Sequence, residues 1–178
     1  MHHLSPFILR TVTGARGSHI ILLNIISEVI CLNKNRYGKN MFAIRDRGAE
    51  PIAVNIDRAA KVNPFFRTAL WTGDHLQVTL MSIPVGGDIG LEMHPDHDQF
   101  LRIESGFAHV MMGRDKNCRD MRRNVNRDFA VIVPAGAWHN IVNIGKAPLK
   151  IYSVYAPPKH PFGTVHRTKA EAEKAEGH

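Results

Sequence analysis

From residue 75 onward, apolar and polar residues alternate in short runs, each stopped by glycine, proline or an Asx-type turn residue. HLQVTLMSI (75–83) is rich in β-branched and apolar residues and is broken by Pro84, Gly86 and Gly87. IGLEMH (89–94), QFLRIES (99–105), FAHVMMG (107–113), DFAVIVPAG (128–136), HNIVNIG (139–145) and LKIYSVYAP (149–157) follow with the same rhythm. Runs of this length with a two-residue period predict strands. Pro95-Asp96 and Gly106 read as turns, and 114–127 as a long polar loop. Helical patterning is confined to residues 58–66, just before FRTALW, and to TKAEAEKAE (168–176), which is built of strong helix formers. Many short strands with so little helix predict an all-β sandwich or barrel.

Residues 1–40 do not share this pattern. HIILLNIISEVICL (19–32) is apolar but too short to cross a bilayer, and Asn24 and Glu28 interrupt it. Asn24, Ser27, Glu28 and Cys31 fall at helical spacing, which fits an amphipathic helix. Arg10 and Arg16, with no acid before Glu28, give a composition that resembles an organelle transit peptide. The competing expectation, and the preferred one, is a poorly ordered or helical N-terminal extension over 1–40 with no folded role. One domain is then expected over 41–168, with a helical or flexible tail over 169–178. No membrane partner is expected.

Composition narrows the picture further. With 178 residues, 44% hydrophobic and 22% charged, the chain suits one soluble domain with a real core. Cys31 and Cys118 offer neither a disulfide framework nor a paired-cysteine zinc motif, so a reducing, cytoplasmic compartment is expected. The formal charge is +7; Arg10, Arg16, Lys34, Arg36 and Lys39 against Glu28 account for +4 and leave +3 for the rest. Arg114, Lys116, Arg119, Arg122, Arg123 and Arg127 cluster, yet Asp115, Asp120 and Asp128 interrupt them and no aromatic platform is interleaved. That reads as a solvated basic loop and excludes nucleic acid as an expected partner.

The chemistry concentrates in two stretches. In an extended strand residues i and i+2 share a face, so Glu92 and His94 form a two-donor arm. Gln99, at the start of the returning strand, comes near both if the chain folds back at Pro95-Asp96. The second arm is PAGAWHNIVN (134–143), where the Pro134–Gly136 turn delivers His139 to a strand start. A metal centre and a polar hairpin that happens to carry histidines both remain open on this geometry.

The two stretches resemble the paired motifs of the cupin superfamily. The first motif, His-x-His, three or four residues, Glu, six residues, Gly, corresponds to Glu92-Met93-His94, Gln99 and Gly106. The second, Pro-x-Gly, two residues, His, three residues, Asn, is met at Pro134, Gly136, His139 and Asn143. Further along, DQFLRIESG and YAPPKHPFGTVHRTK look like small single-domain bacterial cupins of the mannose-6-phosphate isomerase-like group. The resemblance implies a double-stranded β-helix (jelly-roll, RmlC-like) barrel with short helical N- and C-terminal segments. It also implies a divalent metal ion (Mn, Fe, Ni or Zn) held by Glu92, His94, Gln99 and His139. Glu92 stands where the family usually has histidine, and Gln99 where it usually has glutamate. Two imidazoles and one carboxylate still suit such ions, and Gln99 either ligates weakly or bonds a water or substrate oxygen.

The implied function is a metal-dependent isomerase or dioxygenase acting on a small polar molecule. The alternative is a non-catalytic module that binds a small ligand or metal, or a fold that has lost its site through the two replacements. The sequence offers no obvious separate general base. A homodimer is expected, because cupins commonly cover a sheet edge by pairing. Among the remaining residues, His97 is expected at the rim, Asp96 and Asp98 as turn formers, and His109 as structural. His160 and His166 are expected in solvated loops, Arg67 and Arg102 on the surface, Trp71 and Trp138 in packing roles, and Asn143 in a structural role.

Overall fold

The two-residue period of the strands sorts their side chains into an inner and an outer face. The computed structural model describes residues 44–117 and 120–177. The chain runs α1 (Ile56–Val62), β1 (Arg67–Thr72), β2 (Gln77–Ile83), β3 (Asp98–Ser105), β4 (Phe107–Gly113), β5 (Met121–Asn126), β6 (Ala130–Val133), β7 (Trp138–Asn143), β8 (Leu149–Ala156), β9 (Val165–His166) and α2 (Lys169–Glu176). One sheet has six strands in the order β6-β3-β8-β2-β1-β9, the other three in the order β5-β4-β7. Every pairing is antiparallel. The two sheets enclose one interior, the all-β jelly-roll arrangement expected. The amphipathic segment at 19–32, Cys31 and Cys118 lie outside the described residues.

Register builds the interior in rows. Ile103, Ile151, Met81 and Arg67 stand side by side across β3, β8, β2 and β1. Leu101, Ser153, Thr79 and Ala69 form the next row, and Gln99, Tyr155 and Gln77 the one after. Ala108, Val110 and Ile141 close over them from the smaller sheet. Apart from Arg67 at its edge, the interior therefore passes from an aliphatic floor to a more polar upper level. Each buried Ile, Leu or Val on the floor contributes roughly 1.5–3 kcal/mol of transfer free energy.

Helix α1 covers the outer face of the larger sheet, packing Ala59 and Ala60 on Leu70 and Leu80. The Asn55 side chain caps it by accepting from the Arg58 N–H at 2.9 Å. It ends at Val62 rather than 66, because Asn63 precedes Pro64, and the residue before proline is steered out of the helical region. Helix α2 follows the edge strand β9, is capped by Thr168, and buries Ala172 in the main core. Its Lys169 pairs with Asp88, which itself bridges to Val142 of β7. The helix thus spans the seam between the edges of the two sheets.

Three strand expectations are corrected. The 89–94 run forms no continuous strand: it meets β7 through the Ile89 N–H to the Ile141 carbonyl and the isolated Glu92–His139 bridge, because Gly90 (φ +94°) interrupts the extended backbone. The polar 114–127 stretch contains β5, which pairs with β4 and buries only Val125, so its alternation carries no apolar signature. FRTALW supplies β1, which was not anticipated as a strand.

Asn143, one of the motif residues, is structural. Buried, it donates to the carbonyls of Ile83 (3.0 Å), Pro84 (3.1 Å) and Ala147 (2.9 Å), and accepts from the Gly145 N–H (2.9 Å). Removing such a hub strands the buried Ile83 carbonyl and unties the Pro84 and Ala147 loops at once. Asn143→Ala is expected to destabilise the fold by about 3 kcal/mol in urea unfolding; an unchanged midpoint would show that water replaces these bonds without cost.

Candidate metal centre

The two motif arms are joined through their backbones before any side chain takes part. Glu92 and His139 exchange reciprocal bonds, N–H to carbonyl at 3.0 and 2.9 Å, and the Gly136 N–H donates to the His94 carbonyl at 2.7 Å. Gly136 adopts φ +80° in the turn after Pro134, a conformation that costs glycine little, and the turn sets His139 at the head of β7. A pair bonded in both directions presents its side chains on one face. Glu92 and His139 consequently project together, and His94 follows two residues on.

Three donor atoms converge. Glu92 Oε1 lies 3.5 Å from His94 Nε2 and 3.3 Å from His139 Nε2. Among the described residues, Glu92, His94 and His139 form the one group whose donor atoms all lie within 4.8 Å of one another. Two donors about 2.1 Å from one ion, at about 90–110° to each other, sit about 3.0–3.4 Å apart. The separations fit that spacing. Gln99, on β3, brings its Oε1 to 3.0 Å from His139 Nε2. All four residues singled out in the sequence therefore meet at one place inside the barrel.

Protonation is constrained by the surroundings. His139 Nδ1 donates to the Ala137 carbonyl at 3.1 Å, which leaves Nε2 to face the carboxylate. His94 is 3% exposed, and apart from the Glu92 oxygen at 3.5 Å its ring nitrogens have no polar partner. Burial by itself would raise the Glu92 carboxyl, but the hydrogen bonds and charge of His139 and His94 overcome it and hold the group well below the usual carboxylate range. An ionised carboxylate between two imidazoles is a donor set that suits a divalent cation.

Several neighbours depart from expectation. His97 is buried rather than at the rim, because the chain bends at 95–97 and strand alternation does not apply there. Its ring stacks on His94 with centroids 4.4 Å apart, and its Nδ1 meets Asp96 at 2.7 Å. His160 is buried against Tyr155, ring centroids 5.2 Å apart, instead of lying in solvent. Its backbone is pinned by Gln77, whose side chain accepts from the His160 N–H and donates to its carbonyl. His166 is half-buried in β9. Arg67 is 2% exposed and faces inward on the Met81 row. Arg102 remains near the surface, paired with Glu104 and Asp128. Tyr155 links these groups: its ring lies 5.9 Å from both His94 and His97, and burial pushes its hydroxyl above the ordinary phenol range. A fixed phase along β8, with Ile151 inward, would have placed Tyr155 inside. No comparable signal existed for Arg67, since β1 was not read as a strand.

Comparisons with known proteins agree with this geometry. Residues 79–155 match the Cupin domain family. The chain is 57% identical over 143 residues to the uncharacterized protein YrkC of Bacillus subtilis (strain 168), covering 80% of this chain and 77% of that one. It is 37% identical over 113 residues to the uncharacterized protein L612 of Acanthamoeba polyphaga mimivirus, covering 63% and 69%. The crystal structure of BH2720 from Bacillus halodurans superposes with a TM-score of 0.73 at 56% identity, covering 74% of this chain and 99% of that one. A double-stranded β-helix protein of Klebsiella pneumoniae, at 20% identity and TM-score 0.52 over 67% of this chain and all of that one, shares the fold. Among the described residues, no helix is long and apolar enough to cross a membrane.

The buried His160 generates a pH prediction. Burial first, and then the Arg67 charge, hold its pKa far below 6.5. Below that value the unfolded chain binds a proton that the folded chain refuses, so stability falls as pH drops. Wild type is expected to lose about 1.4 kcal/mol more than His160→Gln between about pH 7.5 and about pH 5.5 in urea unfolding. Parallel losses in the two proteins would show that His160 accepts its proton in the folded state.

Proposed function

The chain belongs to the cupin superfamily, and on that premise we propose that it is a metal-dependent enzyme acting on a small polar molecule. Glu92, His94 and His139 hold a divalent ion, with Gln99 as a weaker fourth donor. The observation that carries this reading is the carboxylate oxygen set between two buried imidazole nitrogens at 3.3 and 3.5 Å, while both nitrogens of His94 lack any other partner. Leaving those groups buried and unmatched costs several kcal/mol, and a cation satisfies them together. Two imidazoles and one carboxylate suit Fe(II), Mn(II), Ni(II) or Zn(II) and leave positions free for a ligand.

When bound, such an ion supplies Lewis-acid or O₂ chemistry, which separates an isomerase from a dioxygenase. The chain's own residues set the rest. Ala137 fixes the His139 tautomer through its carbonyl. Gln99 presents an amide oxygen toward the centre and keeps its NH₂ group buried without a partner, ready to bond a ligand oxygen. His97, stacked on His94 with an unpartnered Nε2, is the group positioned to hold or move a proton beside the ion. The competing reading, a fold that has lost its site, is favoured by one feature. Gln99 is neutral where the family usually has glutamate, which weakens the hold on the metal.

Metal analysis of the full chain tests the reading. About one divalent ion per chain is expected after reconstitution, lost in Glu92→Ala and His139→Ala while the fold persists by circular dichroism. Gln99→Ala is expected to weaken metal affinity by about tenfold, and Gln99→Glu to strengthen it. Failure of the wild-type chain to retain any divalent ion would overturn the proposal. Oxygen consumption by the Fe(II)-loaded protein with candidate substrates then separates the two reaction types: uptake supports a dioxygenase, turnover without it an isomerase.

A further inference from the structure

Arg67 is a full positive charge inside the barrel, and the fold gives it one anion. Its row partner is Met81, a core residue, so its side chain shares the face of Met81, Thr79 and Ala69 and enters the interior. The guanidinium carries five donors. Nη1 donates to Glu176 Oε1 at 2.6 Å, while the buried Nε has no partner. Glu176 is the last residue of α2 and arrives from the seam, its side chain still 24% exposed. The pair is single-pronged, whereas a free carboxylate can engage an arginine through two parallel bonds. Gly177, with φ +79°, ends the helix immediately after it, and terminal turns are the least stable part of a helix.

The Arg67 pair and the metal centre share a wall. His160 Nδ1 lies 3.7 Å from Glu176 Oε1, the His160 ring rests on Tyr155, and Tyr155 contacts both His94 and His97. Buried along this wall, without hydrogen-bond partners, are Thr79 Oγ1, Gln99 Nε2, His97 Nε2 and His160 Nε2. A structural ion pair has no need of such a run of unmatched polar atoms leading away from it. A small oxygen-rich acid does.

We infer that Arg67 is the carboxylate subsite of the barrel, and that Glu176 is the chain's own carboxylate resting in it until a ligand displaces it. The ligand class is a small hydroxy- or oxo-acid, its carboxylate on Arg67 and its other oxygen directed along Thr79 and Gln99 toward Glu92, His94 and His139. Displacement frees the last turn of α2, so the seam beside that helix is also the path by which the ligand arrives. This names the substrate class of the site proposed above and rests on that reading for the far end of the ligand alone.

The test uses the full chain with its metal content measured, and glycolate as the probe at constant ionic strength with chloride as control. Glu176→Gln keeps the volume but removes the competing charge, and is expected to bind glycolate at least about fivefold tighter than wild type. The Arg67→Gln/Glu176→Gln double variant is expected to lose that binding while retaining metal. Should Glu176→Gln fold poorly, its thermal midpoint gives the same answer: glycolate raises it more than in wild type, and does not raise it in the double variant. Equal glycolate affinity in wild type and Glu176→Gln, binding retained in the double variant, or tighter binding of inorganic phosphate than of glycolate would each overturn the inference. Loss of metal from wild type would sink the metal reading instead, and the glycolate comparison at Arg67 would still read out on the metal-free protein.

Discussion

One carboxylate is forced between two imidazoles by the backbone itself. The reciprocal bonds between Glu92 and His139 lock two segments almost fifty positions apart into face-to-face register, and the Gly136–His94 bond extends the clamp by two residues. The side chains then have nowhere to go but the same point. Their distances from one another suit donors around a shared ion, and both imidazoles are buried. Whatever else the barrel does, this crowding of acceptors must be answered by a proton or by a metal.

The rest of the fold serves that arrangement. The floor of Ile103, Ile151, Met81, Leu149 and Ile141 supplies the hydrophobic driving force and keeps the lower barrel closed. Above it the inner face of the larger sheet becomes polar, through Thr79 and Ser153 to Gln77, Tyr155 and Gln99. Leu101, Val131 and Val133 still pack among them, and the polar positions lie on the side that faces Glu92, His94 and His139. Helix α2 closes the seam and carries Glu176 to Arg67, making the end of the chain a component of the interior rather than an appendage.

Legibility in the sequence followed the strength of the local physical signal. β8 alternates cleanly, β2, β3, β4 and β7 stand out as short apolar or β-branched runs, and Pro134, Gly136 and Gly106 punctuate them in positions that tight turns explain. The four residues drawn from the paired motifs meet for the same reason: strand phase and turn position fix where they point. β5 was hidden because an edge strand with both faces largely exposed buries one residue and reads as a polar loop. His97 was misplaced because alternation was extended through a bend. Arg67 and His160 were unreadable for a deeper reason. An arginine or histidine on an extended segment is usually solvated, and here partners more than eighty positions away, Glu176 and Gln77, decide otherwise.

Crystals of the full chain grown from natively purified protein, with diffraction recorded on either side of a transition-metal absorption edge, test the central claim most directly. The account predicts one strong anomalous peak inside the barrel, about 2.0–2.2 Å from a Glu92 oxygen and from the facing nitrogens of His94 and His139. A barrel with no anomalous density, its Glu92 carboxylate turned to solvent and the two rings bonded to water, would contradict it.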